Sequence, residues 1–235
     1  MSYLFALLVK DPLIILCTIL MGSISVAVSF ADPKGRAQHA IARRWAKMLL
    51  WLSGSTVRVA GLENIDPGRN YVFAGNHLSL YDTPLVLAHV PQQFLFLVAA
   101  RYVKIPFLGT HLRRGGHFSV DASDARASLK VMTEAARSVR EKGLSVFLFP
   151  EGSRARGEMG EFKEGVAYIA IKAGVPVVPF AIRGTRELLP IGSMHVKGVT
   201  VDFRIGEPLP TQELTLKDRE KLTAEIRSRV VDLLA

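Results

Sequence analysis

Eighteen consecutive positions, residues 13–30, carry no charged side chain. As a helix such a run rises about 27 Å, close to the ~30 Å hydrocarbon core of a bilayer. Any fold of this chain must therefore cover an apolar rod, with lipid or with protein. A shorter apolar run, residues 3–9, is cut off by Lys10-Asp11-Pro12, and Pro12 suits the first turn of the longer helix. Three placements satisfy the segment. It is a spanning or deeply inserted anchor, a re-entrant or interfacial hairpin made with residues 37–52, or a cleaved signal peptide cut near Ser29-Phe30-Ala31. Lys34, Arg36, Arg43, Arg44 and Lys47 follow the run, and only Lys10 and the amino terminus precede it. The positive-inside tendency then puts the body of the protein on the cytoplasmic side of a membrane.

The net charge of +9 favours anionic partners. No known nucleic-acid-binding module is present and aromatic residues are only 8%, so membrane lipids and phosphorylated substrates are expected, and nucleic acid is not. The single cysteine, Cys17, excludes an intrachain disulfide and a cysteine metal cluster.

Residues 35–52 read as a helix with a basic face and an apolar face, closed by Gly54. Strands and helices then alternate. Strands are expected at 56–60, 71–75, 94–99, 145–149, 177–182 and 199–205, several of them continuous apolar runs of the kind buried on both faces. Helices are expected at 83–88, at 123–142 with Ser123 as N-cap and Gly143 past its end, at 162–173, and at 217–234. The pattern predicts a single α/β domain over residues 53–235, with a largely parallel or mixed sheet flanked by helices, behind a membrane-associated helical segment over 1–52.

Two segments sit where open α/β sheets place ligands, just past strand ends. In Asn76-His77-Leu78-Ser79-Leu80-Tyr81-Asp82, a His and an Asp five apart across a turn come within hydrogen-bond reach. The carboxylate would fix the imidazole tautomer, leaving the other ring nitrogen to take a proton from a hydroxyl. The plainer reading makes Asp82 the N-cap of the helix at Thr83-Pro84. In Phe149-Pro150-Glu151-Gly152-Ser153-Arg154, Gly152 allows a sharp turn and Arg154 offers a planar fork for phosphate. Glu151 either holds a hydroxyl or orients Arg154; the plainer reading is a surface ion pair. Arg101, Lys104, Arg113 and Arg114 form either an anion pocket or a solvated basic loop. Val175-Pro176-Val177-Val178-Pro179-Phe180 either lines an acyl groove or is core strand. No serine stands in a nucleophile-elbow pattern, and the six histidines show no HExxH spacing, so neither an acyl-enzyme nor a metal is expected.

Together these residues resemble the glycerolipid acyltransferase family, in particular 1-acylglycerol-3-phosphate acyltransferases. His77 through Asp82 matches that family's His-x4-Asp motif. Glu151-Gly152-Ser153-Arg154 matches its Glu-Gly-Thr/Ser-Arg motif, and Val175–Pro179 is similar to its fourth, proline-bearing motif. The matched stretch runs from about residue 55 to 210. One departure is visible: the arginine of the family's second motif is missing after Asp121, and Arg126, Arg113 or Arg114 would replace it. The resemblance implies a catalytic pair His77 and Asp82, and substrate binding by Glu151, Gly152, Ser153, Arg154, Arg101 and Lys104. It implies an acyl chain passed from acyl-CoA or acyl-carrier protein to the sn-2 hydroxyl of 1-acylglycerol-3-phosphate, giving phosphatidic acid in phospholipid biosynthesis, with no cofactor. Another lysolipid acceptor, a hydrolase, and a non-catalytic membrane lipid-binding protein are the competing readings.

Overall fold

The computed structural model describes residues 6–121 and 123–235. Its centre is a seven-stranded sheet of β1 (Thr56–Ala60), β2 (Val72–Gly75), β3 (Phe94–Ala99), β4 (Phe118–Val120), β5 (Ser145–Leu148), β6 (Val177–Arg183) and β7 (Thr200–Ile205). The spatial order is β1-β7-β6-β2-β5-β3-β4. Every neighbouring pair is parallel except β6 with β7. The sheet is thus mixed, with a parallel centre, as the alternation of apolar runs and helices predicts.

Helices cover both faces. α1 (Asp11–Val28), α2 (Arg36–Ser53) and α3 (Asp82–His89) lie on one; α6 (Ala125–Lys142), α7 (Gly165–Ala173) and α9 (Arg219–Leu234) lie on the other. Between them come the short helices α4 (Ala100–Val103), α5 (Leu108–Arg114) and α8 (Thr185–Leu188). Side-chain alternation along each strand divides the core. Val72, Ala74, Val146 and Leu148 face α6, α7 and α9, while Phe73 and Phe147 face the first layer. On that first face phenylalanines from β7, β6, β5 and β3 make a continuous row. Phe203 meets Phe180 at 5.9 Å, Phe180 meets Phe147 at 4.6 Å, and Phe147 meets Phe94 at 5.2 Å. Such aromatic pairs add about 0.5–1.5 kcal/mol each beyond the area they bury.

The apolar N-terminal run forms the hairpin reading: α1 turns back at residues 29–35 and packs antiparallel against α2. Its inner residues Ile14 and Cys17 join the same core as Leu49, Leu50 and Phe73. Both ends of α1 are fixed to the body. At its start the Asp11 carboxylate bonds His195 Nδ1 at 2.8 Å and accepts the Val196 N–H at 3.2 Å. At its end Ser25 Oγ bonds His111 Nδ1 at 3.0 Å, and Arg114 Nε donates to Ser29 Oγ at 2.6 Å.

Several expectations are corrected. Ser123 is not the N-cap of α6; Asp124 is, its carboxylate accepting the Ala127 N–H at 2.9 Å, while Ser123 donates to Asp121. Both Ser and Asp are competent caps, so the polar run alone does not say which of its residues takes the position. The helix expected from 162 begins at Gly165, because the Lys163 N–H turns aside to Pro150 O at 3.0 Å. The stretch with two prolines lines no acyl groove: Val177, Val178 and Phe180 are fully buried in β6, between β2 and β7. β4, α4, α5 and α8 are too short to carry a periodic signal, and their contacts with longer elements hold them.

Candidate active site

Three chain segments leave the C-terminal edge of the parallel strands side by side: 76–82 after β2, 149–154 after β5, and 184–186 after β6. Asn76 sets the first. Its side-chain amide donates to Ile182 O at 2.9 Å and accepts the Ile182 N–H at 2.8 Å, extending the β2–β6 pairing by one side-chain rung. The approach this needs is close. A Cβ on Gly75 would meet Phe180 O at 2.1 Å, so only glycine ends β2.

His77 then points its Nδ1 at Asp82 Oδ2, 2.7 Å away. Asp82 is completely buried and is not the N-cap of α3; it is the first helical residue. The same Oδ2 accepts the backbone N–H groups of Leu78 at 2.6 Å and Ser79 at 2.9 Å, and Oδ1 accepts the Thr185 hydroxyl. With so many donors converging on it, a buried carboxylate is compensated, and the chain between His77 and Asp82 is folded around it. Ser79 Oγ adds a bond to Leu189 O at 2.8 Å, tying the same loop to the segment after β6.

The imidazole lies flat on the Phe149 ring, with centroids 4.0 Å apart and planes 12° off parallel. Its Nε2 has no hydrogen-bond partner among the described residues, and the side chain keeps 16% of its surface open. One ring nitrogen is locked on a buried carboxylate and the other is presented at the strand edge, the arrangement of an oriented general base.

Glu151 ties the second motif to the first. Its Oε1 accepts the His77 N–H at 2.7 Å and its Oε2 accepts the Gly160 N–H at 2.9 Å. Where the sequence leaves Glu151 to hold a hydroxyl or to orient Arg154, its carboxylate is engaged by the backbone. The Ala155 N–H returns to His77 O at 2.8 Å, so the 151–155 turn is stitched to both main-chain groups of His77. Gly152, at φ 75°, makes that turn, and Ser153 beside it is exposed. Arg154 is half-buried and has no ion pair or hydrogen bond among the described residues, so its guanidinium is available.

A family model described as Acyltransferase matches residues 56–183 of the 235. The chain belongs to the acyltransferase family. Among curated proteins, the chain is 28% identical to a 1-acyl-sn-glycerol-3-phosphate acyltransferase of Borreliella burgdorferi, over 85% of this chain and 80% of that protein. It is 28% identical to one from Limnanthes douglasii over 72% of its own length, and there it spans only 60% of the relative. Among solved structures it is similar to the 1-acyl-sn-glycerophosphate acyltransferase PlsC of Thermotoga maritima. The TM-score is 0.79 at 27% identity, covering all of this chain and 98% of the other.

The basic residues near this edge divide into two groups. Arg101 and Lys104 are exposed just past β3, on the same sheet edge as His77, with the Arg101 guanidinium 5.0 Å from the Tyr102 ring. Arg113 and Arg114 are taken up by structure: Arg113 donates to Val103 O at 2.8 Å, and Arg114 holds Ser29 and covers the Phe30 ring at 3.7 Å. They brace α5 and the end of α1, so of the four cations Arg101 and Lys104 are the two that make no hydrogen bond among the described residues. Thr185 went unnoticed in the sequence. It lies 103 positions from Asp82, and a threonine after Ile-Arg-Gly gives no local sign of a partner that far away.

Proposed function

We propose that this chain moves a fatty acyl group from an acyl thioester, carried by CoA or acyl-carrier protein, to the sn-2 hydroxyl of 1-acylglycerol-3-phosphate, forming phosphatidic acid. The observation that carries the reading is the His77–Asp82 pair at 2.7 Å with Nε2 open at the strand edge. Relatives named 1-acyl-sn-glycerol-3-phosphate acyltransferase support the choice of acceptor.

In this mechanism Nε2 of His77 takes the proton of the acceptor hydroxyl as its oxygen attacks the thioester carbonyl. The tetrahedral intermediate collapses by breaking the C–S bond, and the leaving thiolate takes the proton back from His77. Asp82 keeps the tautomer and faces the imidazolium that forms between these steps. The thioester is already activated, so the acceptor oxygen can attack it directly. Arg154, with Arg101 and Lys104 farther along the edge, gives the acceptor phosphate its donors.

The same reading sets the protein on a membrane. Ala6–Val28 is long and apolar enough to cross one, and α1 turns Leu13, Ile15, Leu16, Ile19, Leu20 and Ile24 outward. Because both its ends are fastened to the catalytic body, α1 lies along that body as one half of a hairpin. A lipid face therefore covers its outer side, with the basic residues from Lys34 to Lys47 toward the cytoplasmic leaflet.

The test is purified protein in lipid with radiolabelled acyl-CoA or acyl-carrier protein and a panel of lysolipids. Phosphatidic acid from 1-acylglycerol-3-phosphate is expected. Fatty acid released equally without acceptor would make the protein a hydrolase, and no product from any pair would make it a binding protein.

A further inference from the structure

On the flank of β2 opposite the 151–154 turn, a cavity of about 510 Å³ opens where β6 ends. Its walls include Leu78, Met159, Arg183, Arg186, Glu187 and Leu234. Leu78 directly follows the catalytic histidine, so the cavity adjoins the His77 loop. Met159 and Leu234 pack with the α6, α7 and α9 layer, so the cavity reaches the side of the sheet away from α1.

Arg183 and Arg186 dominate its charge against the single carboxylate of Glu187. Arg183 is exposed and makes no ion pair or hydrogen bond among the described residues. Arg186 uses Nη2 to hold the loop after Arg154, donating to Ala155 O at 3.0 Å and Gly157 O at 2.7 Å. Its Nε is buried without a hydrogen-bond partner among the described residues. An unpartnered guanidinium N–H is an exception to the rule that buried donors are satisfied, and an acceptor oxygen nearby would remove it.

An acyl transfer brings two anionic molecules to one histidine. Arg154, on the β5 flank, serves one of them. The other must reach His77 from a different direction, and a thioester donor arrives from water, away from the apolar face of α1. We infer that Arg183 and Arg186 bind a phosphate of the phosphopantetheine arm of the acyl donor, in the cavity on the β6 flank of His77. The inference rests on the acyl-transfer reading above. The arm is common to CoA and acyl-carrier protein, and a fork of guanidinium donors suits its phosphate oxygens.

Arg183→Ala is the cleaner probe, because Arg183 braces nothing; Arg183→Gln repeats it with the stem kept. Losing one charge-assisted phosphate contact is expected to raise the KM for acyl-CoA, and the Kd for free CoA measured by calorimetry, about tenfold. The KM for 1-acylglycerol-3-phosphate and kcat should stay within about twofold. An acyl-pantetheine thioester, which has no phosphate, should be used equally by native and variant protein. A rise in the acceptor KM would assign the two arginines to the lysolipid phosphate and overturn the inference. So would an equal loss with acyl-pantetheine, or an unchanged CoA affinity in both variants. If the native protein transfers nothing, the acyl-transfer reading fails, and the CoA Kd of native and variant protein still decides the site.

Discussion

The Glu151 carboxylate accepts the main-chain N–H of His77 at 2.7 Å, across 74 positions of sequence. The second motif therefore positions the first: Glu151 holds the backbone of His77 while its other oxygen holds Gly160. In Glu151→Gln one of these two N–H groups faces an amide NH₂ in place of an oxygen. A displacement of His77 by about 1 Å would lower kcat on the order of 100-fold. Kinetics paired with a thermal melt check this, and an unchanged kcat would remove Glu151 from the positioning of His77.

His77 and Asp82 should part company in stability. His77→Ala removes a partly open ring and is expected to cut kcat by about 10²–10⁴ while the fold persists. Asp82→Asn takes an acceptor from a buried cluster that includes Leu78, Ser79 and Thr185. It should lose activity and also about 1–3 kcal/mol of stability. Denaturant unfolding of both variants separates the roles; a fully stable Asp82→Asn would contradict the account of the loop.

Arg154 tests the acceptor. Arg154→Lys keeps the charge but loses the fork, so the KM for 1-acylglycerol-3-phosphate should rise, and Arg154→Ala should nearly abolish its use. The loss should shrink for any lysolipid acceptor without the phosphate monoester. Equal losses on both acceptors would make Arg154 a structural residue.

His117 sets an acid limit. Burial, with the neighbouring charges of His111 and His39, pushes it down to about 3, and its Nδ1 accepts the Phe96 N–H at 2.9 Å. His39 is likewise held at about 4, by burial first and by Arg43. The unfolded chain binds these protons near pH 6.5, so the stability they represent is full above about 6.5 and drains away as the pH falls toward those lower values. His117→Asn keeps an acceptor without titrating. Its unfolding free energy should fall less steeply from pH 6.5 to 4 than that of the native protein; parallel slopes would refute this.

The outer face of α1 predicts membrane attachment. Leu16, Ile19 and Leu20 are 51%, 54% and 53% exposed, so replacing all three with aspartate leaves the interior packing intact. Each half-exposed side chain contributes about 1 kcal/mol to burial in lipid, so vesicle binding should drop at least about tenfold. Unchanged co-sedimentation would place the membrane contact elsewhere.

Six of the seven strands, the hairpin's apolar half and the loops that carry His77, Asp82, Glu151 and Arg154 were legible in the linear pattern of residues. Runs such as 94–99 and 146–149 are apolar at every position, the pattern of strands buried on both faces, and strand ends are where loops with His, Asp, Glu and Arg gather. The sequence also determined that His77 and Asp82 meet, because five residues across one turn leave little freedom. Tertiary structure alone decided what each side chain does there. Glu151 and Thr185 find the His77 loop only when β2, β5 and β6 lie side by side, a pairing fixed by long-range packing that no local window contains. Arg113 and Arg114 look like anion ligands in the sequence and become braces, Arg113 to Val103 at the end of α4 and Arg114 to Ser29 at the end of α1. The docking of α1 makes a run of membrane-spanning length into one arm of a hairpin, since Asp11 and Ser25 fasten it at each end to residues far along the chain.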